Sequence, residues 1–341
     1  MNPHFLLPRR VYCRVTSLLC ALLLPRFLAA LLAAFACAGA AAQAYPAKTI
    51  QIIVAYAPGG TGDVLARLVA ERLSPVLGQS VIVENRPGAS GMIATQHVAK
   101  SSPDGYTLLL GQTGEIAINK SLVKNIAYDA ARDLAPIALI GVVPLALVVP
   151  EKSPYASFAA LMEDMKSGKT ASFASSGTGT PGHLAAENLK LRAKGNMTHV
   201  PYKGAGPAVT DLLGAHVDMF FSGMPAITGH VKAGKLKLLA VSTAKRSESS
   251  PQTQTVAEGG LPGFDFSLWG GLFAPAGTPR PVIERLNREV NAILARPEFK
   301  ERLMREGAEV SLMSPEQFAA FAVSEIAKYE QIIRETGVKG E

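Results

Sequence analysis

Residues 49–73 read TIQIIVAYAPGGTGDVLARLVAERL. The stretch from 49 to 57 is rich in β-branched side chains, Pro58-Gly59-Gly60 breaks it, and from Asp63 apolar residues recur at Val64, Leu65, Leu68, Val69 and Leu73. A β-branched run, a glycine turn and a helical-period run in that order predict a strand, a tight turn and an amphipathic helix.

Working outward, the alternation repeats. A strand is expected over 80–84, a helix over 91–100, a strand over 107–110, and a looser segment through Ile118 and Leu122. A second set is expected as helix 158–166, strand 171–174, helix 182–192, strand 197–201, helix 207–215, strand 218–221, helix 225–233 and strand 236–241. Such alternation predicts an α/β protein with a mainly parallel, helix-covered sheet. At 341 residues the chain exceeds one typical core and fits two lobes.

Between the two sets lies LAPIALIGVVPLALVV, residues 134–149, apolar and broken by Pro136 and Pro144. Prolines exclude a central helix, so this segment is read as extended chain crossing between the lobes. Three helical segments follow Trp269 without strands of their own. They are expected to pack back on the first lobe.

Residues 1–44 differ from the rest. Arg9, Arg10 and Arg14 precede an Ala/Leu-rich run that ends at Ala42-Gln43-Ala44, the order of a secretory signal peptide cleaved near Ala44. Arg26 interrupts the apolar run, which argues against an uncleaved membrane anchor. All three cysteines (Cys13, Cys20, Cys37) lie in this leader, so disulfides and thiol catalysis are excluded from the remainder. Ala34-Phe35-Ala36 matches a lipidation signal at Cys37 poorly. Without the four leader arginines, 30 basic residues face 27 acidic ones, a net +3. That balance is no nucleic-acid footprint.

Open parallel sheets bind ligands at the carboxyl ends of their strands, and three loops there have suitable composition. In the first, Tyr56 to Asp63, the residues Pro58, Gly59, Gly60, Thr61 and Gly62 would let backbone N–H groups face an anion at a helix start. The same glycines also suit a plain tight turn, with Asp63 a plain cap. The second, Ser175-Ser176-Gly177-Thr178-Gly179-Thr180 and on to His183, interleaves hydroxyls with glycines after a strand. Paired across a cleft, the two loops would suffice for a carboxylate. The third, Gly111 to Gly114, offers Gln112 and Thr113, and reads equally well as a turn. Asp218 is added because its strand leads into Ser222-Gly223-Met224-Pro225, a further candidate cleft loop containing Ser222.

Catalytic motifs are missing: the histidines lack metal-type spacing, and there is no nucleophile elbow and no Walker lysine. No catalytic residue, metal or cofactor is therefore expected.

Taken in order, IIVAYAPGGTGDVLARLVAERL, VIVENRPGASGMIATQHVAKSSPDGYTLLL, HVPYKGAGPAVTDLLGAHVDMFF, VKAGKLKLLAVSTAKR and WGGLFAPAGTP resemble the substrate-binding receptors of tripartite tricarboxylate transporters, the Bug family. The resemblance runs from Tyr45 to about Gly337. It implies a two-lobed periplasmic-binding-protein type II fold with a hinged cleft: residues 45–146 and 265–341 in one lobe, 147–264 in the other. It further implies a periplasmic protein, expected to be monomeric, whose partners are a small carboxylate and the membrane subunits of a transporter. One ligand carboxylate would be held, partly through waters, by the backbone of residues 56–61 and 175–180, and the far end by Gln112 and Thr113. Lys120 departs from the proline usual in the family, which puts ligand contacts from that segment in doubt. A receptor reporting to a membrane sensor, or a secreted carboxylate-processing enzyme, would share this fold.

Overall fold

The computed structural model describes residues 45–339. The leader expected over 1–44, with its cleavage near Ala44 and the question of Cys37, lies outside the described residues. In chain order the elements are β1 (Ile50–Val54), α1 (Thr61–Leu77), β2 (Val81–Asn85), α2 (Met92–Ala99), β3 (Thr107–Gln112), α3 (Asn119–Leu122), α4 (Ala130–Asp133), β4 (Leu134–Pro150), α5 (Phe158–Lys166), β5 (Thr170–Ser175), α6 (Pro181–Ala193), β6 (Asn196–Pro201), α7 (Ala205–Leu213), β7 (Met219–Gly223), α8 (Met224–Lys232), β8 (Leu236–Val241), β9 (Ser267–Pro275), α9 (Arg280–Leu294), α10 (Pro297–Arg305) and α11 (Pro315–Thr336). A π-helical turn, Gly114–Ile118, precedes α3.

The strands form one sheet in the order β2-β1-β3-β9-β4-β7-β5-β6, with β8 also on β4. Each end is parallel, as the alternation predicts: β1 pairs β2 and β3, and β5 pairs β6 and β7. The middle is antiparallel, because β9 returns from the far end of the chain to lie between β3 and β4.

The segment expected to cross between lobes is β4, seventeen residues of continuous strand. It pairs with β9 as far as Pro144↔Ser267, and from Leu145↔Gly223 it pairs with β7. Pro144 stands at that handover, where a missing backbone donor disturbs the ladder least. Pro136 sits beside a register shift between Pro136 and Ala138. Both prolines are thus placed where a long strand tolerates them.

The helices bury one face each. In α1, Leu65, Leu68, Val69, Leu73 and Leu77 are buried while Arg67 and Glu71 are exposed, and Gly78 closes the helix at φ 66°. At the start of α11, Ser314 and Gln317 form a reciprocal capping box. Of the C-terminal helices α11 packs on the sheet: Trp269 of β9 is fully buried, edge-on to Phe318 and Phe321 of α11, and its indole N–H donates to Glu325 at 3.0 Å. Tyr329 donates to the Ser267 carbonyl, which ties α11 to the start of β9.

Gly271 makes this packing possible. A Cβ there would lie 2.2 Å from the Phe318 ring and 3.0 Å from the Ala138 carbonyl oxygen. Gly271→Ala is expected to destabilise the protein by about 1–3 kcal/mol, the usual cost of overpacking. Urea denaturation checks this: the midpoint should fall with the slope unchanged.

Candidate functional site

Among the helices that start after strands of this sheet are α1 after β1, α6 after β5, α7 after β6 and α8 after β7. Their N-cap residues are Gly60, Thr180, Gly204 and Gly223, and none makes a side-chain capping bond. The first N–H groups of an uncapped helix have no intrahelical acceptor and carry its partial positive charge. Residues from all four starts, Gly60 and Thr61, Thr180 to Gly182, Ala205, and Gly223, line one small cavity. No lining residue carries a charged side chain.

The cavity is closed over by contacts between loops from the two ends of the sheet. The Ala57 N–H donates to the Lys203 carbonyl at 3.2 Å. A Cβ at Gly204 would lie 2.9 Å from the Ala57 nitrogen, and one at Gly206 would lie 2.5 Å from the Pro58 oxygen. On the other side the Ser90 hydroxyl donates to the Thr178 carbonyl, and the Ser90 carbonyl accepts from Asn119 Nδ2 at 2.9 Å. Ala89 and Ser90 hold positive φ values of 46° and 49° in this contact.

Side chains of both glycine loops turn back on their own backbone. Asp63 accepts from the Gly59 N–H at 3.0 Å and from Arg67 Nε at 2.9 Å. Burial opposes ionisation of Asp63, but the bonds from Arg67 and the Gly59 N–H outweigh it and hold the carboxyl below its ordinary range. In the second loop the Gly177 N–H donates to Ser175 Oγ, the Gly179 N–H to His183 Nδ1, and the Thr180 hydroxyl to the Gly177 carbonyl. Ser175 Oγ also meets His199 Nε2 at 2.6 Å, and the rings of His183 and His199 stack 4.0 Å apart. Burial, followed by the mutual repulsion of the two rings and by Lys190, lowers His183 to about 3. Burial and Lys190 lower His199 to about 4. Both rings are neutral at neutral pH.

Of the residues expected at the site, Tyr56, Gly60, Thr61, Gln112 and Thr180 line the cavity. Pro58 and Gly59 are exposed, and Gly62, Asp63, Ser175, Gly179 and His183 shape the loops behind it. Gly177 and Thr178 border a neighbouring open cleft that shares Tyr56 and Ser176 with the cavity.

Three of the expected residues lie outside the lining of this cavity. Asp218 is exposed before the first residue of β7, bonded to the Ser172 N–H and hydroxyl. Five residues of strand, about 16 Å, separate it from Gly223 at the cavity end. Ser222 is buried but lies between Phe221 and Gly223, which line the cavity, so strand alternation turns it to the other face. Thr113 accepts from the Trp269 N–H at 2.9 Å and so supports β9. It does not stand in a turn, because β3 runs two residues further than expected and leads straight into helix. Lys120 is exposed and paired with Asp129 at 2.9 Å, outside the cavity lining.

The residue that sequence reasoning missed is Glu115, only 1% exposed. One of its oxygens accepts from the Gln112 N–H at 2.7 Å and the other from the Tyr56 hydroxyl at 2.9 Å, so it holds two cavity-lining residues from behind. Its signal was a lone acid ahead of the apolar Ile116-Ala117-Ile118. Burial raises it to about 7, against the lowering effect of its hydrogen bonds.

With this geometry in place, comparison with known proteins is decisive. Residues 65–338 match the tripartite tricarboxylate transporter family receptor. The chain belongs to that family. The Bug protein BugT of Bordetella pertussis is 41% identical over 301 residues, covering 87% of this chain and 92% of BugT. Among solved structures, a Rhodopseudomonas palustris protein with adipate superposes with a TM-score of 0.85 at 35% identity, covering 87% of this chain and 100% of the other. The periplasmic binding protein BugD gives 0.83 at 35% identity, covering 87% and 100%. MatC from the same Rhodopseudomonas species with bound malate gives 0.79 at 31%, covering 85% and 100%. The fold is therefore that of periplasmic solute-binding receptors, and the cavity lies where strand ends and helix starts of this receptor meet.

The sign of the Glu115 effect follows from its raised proton affinity. The folded protein keeps a proton that the unfolded chain releases near pH 4.5, so the Glu115 contribution is fully present below that pH and is lost as pH rises through about 7. The stability of Glu115→Gln relative to the parent should accordingly improve between pH 4.5 and 7, by on the order of 3 kcal/mol. Denaturant titrations of both proteins across that range measure it.

Proposed function

We propose that this receptor captures a small carboxylate in the cavity and delivers it to the membrane subunits of a tripartite transporter, without converting it. The observation that carries the reading is the convergence of four uncapped helix starts on a cavity with no charged side chain. Backbone N–H groups and aligned peptide dipoles favour an anion there. The adipate and malate seen with the related proteins are small carboxylates.

Residues 45–146 and 265–341 form one lobe in this reading and 147–264 the other. The hinge is the crossing of β4 and β9, where pairing passes from one end of the sheet to the other. Ligand bridges the two glycine loops, the loop contacts around Ala57 and Ser90 close, and the closed form is what the membrane subunits recognise. The protein works as a periplasmic monomer after its leader is removed near Ala44.

Thermal shift of residues 45–341 against mono-, di- and tricarboxylates tests the reading, since a ligand specific to the native state raises the melting temperature by mass action. A saturable rise with ligand recovered unchanged by NMR is expected; conversion of the ligand would overturn it. Ala205→Pro keeps a residue compatible with a first helical turn but removes one N–H at the cavity. It should weaken carboxylate binding by roughly tenfold to a hundredfold, the worth of one hydrogen bond to a charged group, while Ala205→Val, of similar bulk, retains most of the affinity. Calorimetric titration of the two variants separates these outcomes.

A further inference from the structure

Glu115 stands in the π-helical turn after β3, one side chain behind the cavity. Both of its carboxylate oxygens are bonded to cavity residues, one to the Gln112 N–H and the other to the Tyr56 hydroxyl. A Cβ at Gly114, itself part of the lining, would lie 2.7 Å from that hydroxyl oxygen. Leu145, Phe221 and Leu268 make the cavity floor, and no charged side chain of the lining stands between Glu115 and a bound anion.

The surroundings of Glu115 hold no counter-charge. Tyr56 and Tyr128 are the titratable groups that face it, and Tyr128 gives its hydroxyl hydrogen to the Glu115 carbonyl at 2.6 Å. Gly91, ahead of α2, packs against its side chain. From α4 and α11 the same turn meets Ala130, Ala322 and Ile326, and Lys120 of α3 is exposed and held by Asp129. Asp63, the acid at the first glycine loop, differs in being paired with Arg67.

An anion at the helix starts and an ionised Glu115 repel one another, and a buried setting screens them little. A proton on Glu115 relieves that repulsion. We infer that Glu115 is a proton site linked to the cavity, so that capture of a carboxylate at the helix starts brings a proton onto Glu115. This rests on the carboxylate reading above and adds a second ligand, the proton, to it. Burial already keeps Glu115 protonated up to about 7, so the exchange falls in a range where a carboxylate ligand is itself ionised.

The hydrogen bonds carry the proton's effect to the loops that close the cavity. While Glu115 is ionised, the Tyr56 hydrogen is committed to it. Once Glu115 is protonated, its O–H donates to the Tyr56 oxygen, and the Tyr56 hydrogen turns to the Ser90 carbonyl, 3.4 Å away. Ser90 is the residue whose hydroxyl reaches the Thr178 carbonyl. The proton therefore removes a negative charge from behind the anion and adds a bond to the contact that closes over it. By linkage the anion raises proton affinity by the factor with which the proton raises anion affinity. Like charges one side chain apart in a protein interior make that factor about tenfold.

Calorimetric titrations of residues 45–341 test this with malate, adipate and any further acid that raises the melting temperature. Buffers of different ionisation enthalpy, used between about pH 6.5 and 8.5, count the protons taken up. Uptake of about half a proton per ligand near the middle of that range is expected, with affinity falling about fivefold from its lower to its upper end. Glu115→Gln, which has no proton to exchange there, should show no uptake and a flat profile. Infrared difference spectra of the parent protein with and without ligand should show a protonated carboxyl gained, a readout that needs no variant. Binding without proton uptake, or uptake that persists in Glu115→Gln, would overturn this inference and leave carboxylate capture standing. Failure of every acid to bind would overturn both.

Discussion

The structure depends on one long strand. β4 carries the chain from the β3–β9 side of the sheet to the β7–β5 side without a break in its backbone, so both ends share a common spine and each keeps its own parallel order. Because the spine is continuous, strands β1, β5, β6 and β7 deliver their carboxyl ends to one cavity. Antiparallel pairing with β9 secures it, and the burial of Trp269 against α11 secures β9 in turn. The C-terminal helices are thus part of what holds the cavity's floor in place.

Around that spine the site is built almost entirely from backbone. Helix starts left without side-chain caps are ordinarily a loss, a few tenths of a kcal/mol where glycine stands at the cap. Here three of the four N-cap residues are glycines with no side chain to offer, and the fourth, Thr180, gives its hydroxyl to the Gly177 carbonyl, while Asp63 in the first turn of α1 is taken by the Gly59 N–H and Arg67. Their bonds hold the loops so that N–H groups remain for a ligand. Neutral, buried histidines serve the same end, with His183 accepting from the Gly179 N–H and His199 meeting Ser175. Glu115 is the exception in kind, a carboxyl buried without a cation, and its cost is met by a backbone N–H and a tyrosine hydroxyl.

Much of this was legible in the chain itself. Glycines between a β-branched run and a helical run mark the first loop, the Ser/Gly/Thr cluster marks the second, and prolines at 136 and 144 mark a segment that could only be extended. Order and type of these elements follow from local periodicity and turn chemistry, which neighbouring residues decide among themselves. The family resemblance rested on that same order.

What the sequence by itself determined was therefore the alternation, the two anion-type loops and the crossing segment. Only the tertiary structure decided which atoms face the cavity. Phe221 and Gly223 face it and Ser222 does not, Gln112 does and Thr113 supports Trp269, and Asp218 stands at the far end of its strand. The physical reason is that side-chain direction in a strand changes with every residue, so the face presented is set by long-range register. Burial of a lone acid such as Glu115 likewise depends on elements distant in the chain: Gly91, Tyr56 and Tyr128 close around it only when β1, β3 and their following turns are assembled.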